Sequence, residues 1–198
     1  MTAQPLAPRA GRRARRARAC ERSRPRTMTP HICPHAGRFL TTVLMTDIVD
    51  STATATRLGD RRWRDLLAAH YAACRAQVGR GGGVLVNTTG DGIVAIFDSP
   101  ARAVRAAIAI QAMAAASGMA VRVGLHTGEC ERLEDGLAGL TLHIAARVCA
   151  LGCADAVMAT RAVRDRASGS TLAFEPRGDH DLKGVPGRWA VFSATDLA

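Results

Sequence analysis

The chain has 198 residues, of which 47% are hydrophobic and 22% charged, and its formal net charge is +10. This length and balance predict one globular domain with a tail, and the absence of any continuous run of about 20 apolar residues excludes an integral membrane protein. The charge is uneven, because residues 1–38 hold ten arginines and a single acid, which gives this segment +9. The rest of the chain carries only +1.

Residues 1–38 are predicted to be a disordered, arginine-rich tail, because they contain several prolines and no apolar run that could be buried. The segment is either a basic arm for nucleic acid or anionic membrane, or it has no function of its own. In the second case it is a dispensable extension, or the result of a start codon placed too early, since Met28 follows the arginines. We favour the second interpretation, so nucleic-acid binding is not expected. No apolar segment follows the arginines, so they do not form a secretory signal. The six cysteines lack a disulfide or zinc pattern, which predicts reduced thiols and a cytoplasmic protein.

The first elements predicted after the tail are a strand and two helical tracts. The apolar, β-branched run at residues 39–48 predicts a buried strand. Residues 50–52 offer N-cap side chains to a helical tract, and Asp60 is expected to cap a longer helix that ends at glycines 81–83. The apolar residues of the longer helix share one face, at Trp63, Leu66, Leu67, His70, Tyr71, Cys74 and Val78.

A hairpin and then alternating helices and strands follow. Residues 84–86 and 93–97 predict two short strands, joined by a glycine-containing turn that needs positive φ. Ser99 and Pro100 predict the start of an alanine-rich helix that runs to about residue 116. A second helix is predicted over 141–150, and further strands over 120–126, 157–160, 172–177 and 188–194. This order predicts an α+β fold, a ferredoxin-like βαββαβ core sandwich with extra C-terminal strands and helices covering one sheet face.

Two acidic residues are placed where they could meet. Asp47 ends the first strand and Asp91 lies in the hairpin turn, and these two elements are neighbours in a βαββαβ sheet. Carboxylates at strand ends beside a backbone carbonyl are the ligands that hard divalent cations require. The alternative is that Asp47 caps a helix and Asp91 is an ordinary turn residue.

Four motifs occur in order: MTDIVDST, TTGDGIVAIF, VRVGLHTGE and GLTLHIAARV, followed by RGDHDLKGVPGRWAVF. Together they resemble the class III nucleotidyl cyclase (adenylate/guanylate cyclase) catalytic domain, over about residues 39–192. The resemblance implies a catalytic domain at residues 39–195 that converts ATP, or GTP, to the 3′,5′-cyclic monophosphate and pyrophosphate. It also implies that the site forms at the interface of a head-to-tail homodimer.

The resemblance assigns roles to individual residues. Asp47, Asp91 and the Ile48 carbonyl would hold two Mg²⁺ or Mn²⁺ ions. Backbone N–H groups at Val49, Asp50, Ser51 and Thr52 would meet phosphate oxygens at a helix N-terminus. Terminal phosphates would be bound by Arg122 and Lys183, the chain's one lysine, and Arg147 would stabilise the transition state.

Three positions depart from the family pattern. Asn87 replaces the adenine-selecting lysine, Gly136 replaces its partner acid (with Asp135 adjacent), and His143 replaces the ribose-orienting asparagine. Two hypotheses follow: an adenylate cyclase homodimer in which Asn87 contacts the base and His143 and Arg147 act in catalysis, or a degenerate cyclase-like domain that binds nucleotide or a partner. A separate regulatory protein is compatible with both. His126, at a strand end, is interpreted as a structural histidine.

Overall fold

The computed structural model describes residues 37–134, 136–154 and 156–197. The predicted disorder of the arginine-rich tail therefore lies almost wholly outside the described residues, as does the prediction for Asp135.

Thirteen helices and strands follow one another in these ranges. They are β1 (Arg38–Ile48), α1 (Ser51–Leu58), α2 (Asp60–Arg80), β2 (Val84–Thr89), β3 (Gly92–Phe97), α3 (Pro100–Ala116), β4 (Val121–Leu133), β5 (Gly136–Ala138), α4 (Leu140–Leu151), β6 (Val157–Thr160), α5 (Arg161–Arg166), β7 (Leu172–Asp181) and β8 (Arg188–Asp196). Every predicted element is present. The short β5 and α5 were not predicted, because three and six residues are too few to show a hydrophobic period.

The strands form one sheet in the order β2-β3-β1-β4-β6-β8-β7, and β5 pairs with β4 beside this path. Strands β4 and β6 run parallel, whereas the other neighbouring strands are antiparallel. The first four strands with α2 and α3 form the predicted ferredoxin-like core. The remaining strands of the path, β6, β8 and β7, extend it at the C-terminal side, as predicted.

The helices do not all lie on one face of the sheet. Helices α2, α3 and α5 pack over the face that contains Leu44, Phe97 and Leu125. Helix α4 packs on the opposite face, where a Cβ at Gly124 would lie 2.2 Å from the backbone nitrogen of Cys149. The expectation that the helices cover a single face is therefore wrong for α4. A glycine in β4 lets this helix approach the strand backbone directly.

The helix starts agree only in part with the predictions. Ser99 caps α3 as expected, since its Oγ accepts from the Arg102 N–H at 3.4 Å and Pro100 is the first helical residue. Asp60 does not cap α2, because the helix already includes it and Gly59 is the N-cap. The Asp60 carboxylate instead lies in the first turn, where the helix dipole favours negative charge. None of the helices in the described ranges is long and apolar enough to cross a membrane.

Candidate active site

The ends of β1 and of the β2–β3 hairpin lie against each other. Strands β1 and β3 are antiparallel with Met45 opposite Val94, and two residues further along this register Asp47 is level with Gly92. The contact is close, because a Cβ at Gly92 would lie 1.9 Å from the carbonyl oxygen of Thr46. The backbones that carry Asp47 and Asp91 are therefore immediate neighbours.

The turn that carries Asp91 is fixed from two sides. On the β1 side, the Ile93 N–H donates to Thr46 Oγ1 at 3.0 Å. On the α2 side, Tyr71 donates its hydroxyl to the Gly90 carbonyl at 2.5 Å. Burial and, less strongly, the Asp91 carboxylate raise the pKa of Tyr71, which indicates that the two side chains are close. Tyr71 was predicted only as a core residue, since its helical spacing gave no sign of a site.

Asp47 forms an ion pair with Arg122. The two residues are opposite each other in the β1–β4 register, and Arg122 donates from Nε to Asp47 Oδ2 at 3.0 Å and from Nη2 to the same oxygen. This hydrogen bonding raises the pKa of Arg122. About a third of each side chain is exposed, so the pair is open to solvent on one side. Within the described ranges, no hydrogen bond reaches Asp47 Oδ1.

The donors at this edge fit a hard divalent cation. Two carboxylates and a backbone carbonyl, at Asp47, Asp91 and Ile48, are the oxygen ligands that Mg²⁺ binds, with water and substrate phosphates completing its coordination. The described part of the chain holds no cluster of three or more His, Cys, Asp or Glu side chains that could bind a metal. The set at this edge contains only two such side chains, and its third ligand is a backbone carbonyl.

The start of α1 offers fewer phosphate donors than expected. The Val49 N–H donates to the Ala120 carbonyl at 2.9 Å, so in this structure the group that was predicted to face phosphate is engaged by the backbone. Asp50 has φ of 52° and precedes the helix without making a side-chain cap. The first helical hydrogen bond runs from the Thr54 N–H to the Asp50 carbonyl. The N–H groups of Ser51 and Thr52 precede this bond and therefore have no acceptor within the helix.

Helix α4 presents His143 and Arg147 to solvent. They are four residues apart and therefore share one face, whereas Ile144 and Val148 are buried on the other. Arg147 donates from Nε to the carbonyl oxygen of Lys183 at 3.1 Å. This bond ties α4 to the loop between β7 and β8.

Lys183 lies at the tip of a turn. The Val185 N–H donates to the Leu182 carbonyl at 2.9 Å, and Gly184 supplies the positive φ of 81° that the turn needs. Leu182 and Val185 are buried in a cluster with Ile144 and Val148 of α4, so they anchor the turn while the Lys183 side chain stays exposed.

The predicted site residues form two groups. An acidic group contains Asp47 and Asp91 with Arg122, and a cationic group contains His143, Arg147 and Lys183. Among the residues that the structure describes, no hydrogen bond or ion pair joins one group to the other. Each group is therefore held together by its own contacts, Arg122 on Asp47 and Arg147 on the Lys183 carbonyl.

The residues at the base-selecting positions offer little recognition. Asn87 is exposed on β2 beside a bulge, and its Oδ1 accepts from the Thr88 N–H at 2.8 Å. Because only the oxygen can accept this bond, the side-chain NH₂ remains as a donor. Gly136, in β5, has no side chain with which to accept a bond from a base.

His126 fits the structural interpretation. It is buried, its Nδ1 lies 2.8 Å from Thr160 Oγ1, and its ring meets the edge of Trp189 at a centroid distance of 5.5 Å. Burial lowers the pKa of His126 to about 4, so the ring is neutral at pH 7.

Comparison with known proteins decides the family. Residues 39–194 match the adenylate and guanylate cyclase catalytic domain. The chain belongs to this family. Solved structures of nucleotidyl cyclase domains share the fold of this chain.

Three such structures represent both nucleotide types. The adenylyl cyclase CyaB of P. aeruginosa has a TM-score of 0.74 at 19% identity, covering 82% of this chain and 96% of that one. The guanylate cyclase domain of RhGC from Catenaria anguillulae, in complex with GTP, has a TM-score of 0.73 at 22% identity, covering 81% and 99%. An adenylate/guanylate cyclase/hydrolase from Silicibacter pomeroyi has a TM-score of 0.68 at 25% identity, covering 82% and 100%.

Sequence relatives are found in mycobacteria. Uncharacterised proteins of Mycobacterium tuberculosis and Mycobacterium bovis are each 32% identical over 121 residues, which is 60% of this chain. The matched region spans about a third (32%) of those proteins' own length.

Proposed function

We propose that the chain is a metal-dependent adenylate cyclase that converts ATP to 3′,5′-cyclic AMP and pyrophosphate as a homodimer. The observation that carries the proposal is the close contact between Thr46 and Gly92, which brings the backbones of Asp47 and Asp91 together. Two carboxylates at one sheet edge suit a pair of divalent cations that act on a triphosphate.

Asp47, Asp91 and the Ile48 carbonyl would hold two Mg²⁺ or Mn²⁺ ions. When bound, these ions would lower the pKa of the ribose 3′-hydroxyl and neutralise charge on the triphosphate. The exposed face of the Asp47–Arg122 pair supports access of a cation to this carboxylate, as does the engagement of Arg122 with Oδ2 alone among the Asp47 oxygens in the described structure.

The substrate's phosphates would be bound by cations and by backbone donors. Arg122 and Lys183 would bind the terminal phosphates, and the amides of Asp50, Ser51 and Thr52 would meet phosphate oxygens at the start of α1. Cyclisation joins O3′ to the α-phosphorus and releases pyrophosphate. Arg147 would stabilise the charge that develops on the phosphoryl oxygens, and His143 would donate to a ribose oxygen.

The homodimer is part of the proposal because no hydrogen bond or ion pair joins the acidic group to the cationic group within the described residues of one chain. A head-to-tail pair of chains related by a twofold axis would place the cationic group of one protomer over the acidic group of the other. Each dimer would then contain two complete sites, whereas an isolated chain would contain none.

ATP is the proposed substrate because Asn87 presents a donor, which can meet the N1 acceptor of adenine. The same donor can also meet O6 of guanine. Because Gly136 offers no acceptor for the adenine amino group, discrimination between the two purines should be weak.

The second candidate is a cyclase-like domain that binds nucleotide or a partner without turnover. It is favoured by a specific observation: Asn87, Gly136 and His143 replace the residues that hold base and ribose in the family, and the Asn87 oxygen already accepts from the Thr88 backbone N–H. A misplaced ribose would leave the 3′-hydroxyl out of line with the α-phosphorus.

A single assay separates the two candidates. Purified protein is given ATP or GTP with Mg²⁺ or Mn²⁺, and cyclic nucleotide is measured for the wild type, for Asp91→Ala and for Asp98→Ala. Asp98 is an exposed acid that pairs with Arg102 on the surface, so it is a matched control. Cyclic AMP that needs metal and Asp91 but not Asp98 supports the cyclase, and no product from folded dimeric protein supports the binding domain.

A further inference from the structure

The acidic half of the site depends on the position of a short turn. Gly90 and Asp91 connect β2 to β3, and the residues just before the turn, from Asn87 to Thr89, are exposed. Gly90 has φ of 76° and nothing within 4 Å of the place a Cβ would occupy, so no atom packs on that side of the residue. The contacts with Thr46 hold the turn only after Asp91, at Gly92 and Ile93, and a second constraint before Asp91 would keep its carboxylate in one geometry.

Tyr71 supplies such a constraint from outside the hairpin. Its hydroxyl donates to the Gly90 carbonyl at 2.5 Å, which belongs to the peptide group that joins Gly90 to Asp91. The Asp91 N–H of the same peptide group donates to the Thr89 carbonyl at 2.9 Å, so both polar groups of this peptide are hydrogen-bonded.

Helix α2 is a rigid support for this hydroxyl. His70, Cys74 and Val78 are at most 2% exposed, and they fix α2 against α3 and the sheet. Cys74 Sγ lies 3.4 Å from Nε2 of His70, which joins the two buried side chains on either side of Tyr71. The ring of Tyr71 therefore leaves a buried helix face and ends at the turn.

We propose that Tyr71 is a positioning residue for the Asp91 carboxylate: through the Gly90 carbonyl it holds the turn in the geometry that binds a divalent cation. The inference rests on the proposed function, because it takes Asp91 to be a metal ligand. The added residue lies on α2 and acts through its bond to the Gly90 carbonyl. Groups that orient metal ligands from outside commonly change metal affinity by one or two orders of magnitude.

The test measures metal binding without catalysis. Binding of Mn²⁺ is followed by electron paramagnetic resonance in the presence of saturating 3′-deoxy-ATP, which has no 3′-hydroxyl and cannot be cyclised. Tyr71→Phe removes one oxygen atom and leaves the ring in place. We expect it to weaken Mn²⁺ binding about tenfold, whereas the nucleotide's own affinity changes less than twofold.

The matched control is Trp63→Phe. Trp63 lies two turns earlier on α2 and packs on the same core, but no hydrogen bond links its side chain to the turn in the described structure. This variant lowers the stability of the helix, so it reports what a loosened α2 does to metal binding. We expect its Mn²⁺ affinity to stay within twofold of the wild type.

Turnover assays give a second readout. If Tyr71 positions Asp91, Tyr71→Phe raises the metal concentration needed for half-maximal rate by about the same tenfold factor and leaves KM for the metal–nucleotide complex near its wild-type value. A purely structural role would reduce the amount of active protein and move neither quantity.

The outcomes are distinguishable. Asp91→Asn is measured alongside and should lose Mn²⁺ binding. If it does, the role of Tyr71 is overturned by either of two results: Tyr71→Phe binds Mn²⁺ as tightly as the wild type, or Tyr71→Phe and Trp63→Phe weaken binding equally. If the wild type binds no Mn²⁺, or Asp91→Asn binds it normally, the metal assignment of the proposed function fails, and the inference fails with it.

Discussion

Asp47 and Arg122 face each other across β1 and β4, and their side chains form an ion pair at the sheet edge where Asp91 also lies. The pair joins a proposed metal ligand to a proposed phosphate ligand. Both contacts from Arg122 go to Oδ2, so a cation on Oδ1 and the guanidinium can share the carboxylate. In this arrangement, Arg122 helps to orient Asp47 before any substrate arrives.

Arg122→Gln should weaken ATP binding more than it weakens the fold. The loss of one charge-assisted bond to phosphate should raise KM about tenfold, which corresponds to about 1.4 kcal/mol. Because the pair is partly exposed, the free energy of unfolding should fall by less than about 1 kcal/mol. Steady-state kinetics and thermal unfolding check the two numbers.

Arg102→Gln is the control for this variant. Arg102 pairs with Asp98 at 3.5 Å on an exposed surface, so its loss should leave KM unchanged. An Arg122→Gln enzyme with wild-type KM would contradict phosphate binding by Arg122.

Complementary variants should restore each other's activity. Asp91→Ala damages the acidic group and Arg147→Ala the cationic group, so each homodimer should be inactive. In an equal mixture that re-equilibrates, half of the dimers are mixed and each has one intact site, which predicts about a quarter of wild-type activity. Cyclic AMP formation after mixing measures this recovery.

A pairing within one group supplies the control. Arg147→Ala and Lys183→Ala both damage the cationic group, so every site in their mixed dimer lacks one cation. No recovery is expected from that mixture. Recovery there, or none with Asp91→Ala, would contradict a site shared between two chains.

Gly92→Ala should destabilise the protein strongly. Its Cβ would lie 1.9 Å from the Thr46 carbonyl oxygen in the middle of a sheet, and neither backbone can move freely. We expect a loss of about 3 kcal/mol or more, at the upper end of overpacking effects. Gly118→Ala, at a position with φ of 73° and open space, should lose only about 1 kcal/mol. Denaturant unfolding compares them, and equal losses would contradict the close contact.

Acidification should unfold the protein partly through His126. The folded pKa of His126 is about 4, below its ordinary value of 6.5, so the unfolded chain takes up the proton first as pH falls. Stability is therefore intact above pH 6.5 and declines between pH 6.5 and 4, by roughly 3 kcal/mol for this group. Burial lowers the pKa of His70 as well, and its contribution has the same sign.

His126→Gln isolates that contribution. Glutamine can keep a hydrogen bond to Thr160 but does not titrate, so the decline in stability between pH 6.5 and 4 should become shallower. An unchanged pH dependence in His126→Gln would place the acid sensitivity elsewhere.

Most of the fold could be predicted from local patterns. The spacing of Trp63, His70 and Val78 predicted α2, and the Ser99–Pro100 pair predicted the start of α3. Both features depend on residues that are close together in the sequence. The side of the sheet taken by α4 was missed. It depends on Gly124, whose small size matters against the backbones of Ala145 and Cys149, more than 20 positions away in the chain.

The residues of the candidate site that belong to sequence motifs could be predicted, whereas the hydrogen bonds that hold them in place could not. The positions of Asp47 and Asp91 follow from strand order, and the structure brings their backbones together as expected. The engagement of the Val49 N–H by Ala120 and the bond from Tyr71 to Gly90 both join distant segments. No local pattern reports such pairings, and Tyr71 also satisfies the ordinary requirements of a core position.

The contact between Thr46 and Gly92 has a consequence for how the proposed enzyme responds to its own abundance. Because β1 and the hairpin are locked together within one chain, the acidic half of each site exists before two chains meet. Dimerisation would then join two chains that are already folded at this part of the site, so little conformational entropy would be lost there. At concentrations below the dimer dissociation constant, the rate per chain should rise in proportion to the chain concentration, so dilution alone would switch the enzyme off.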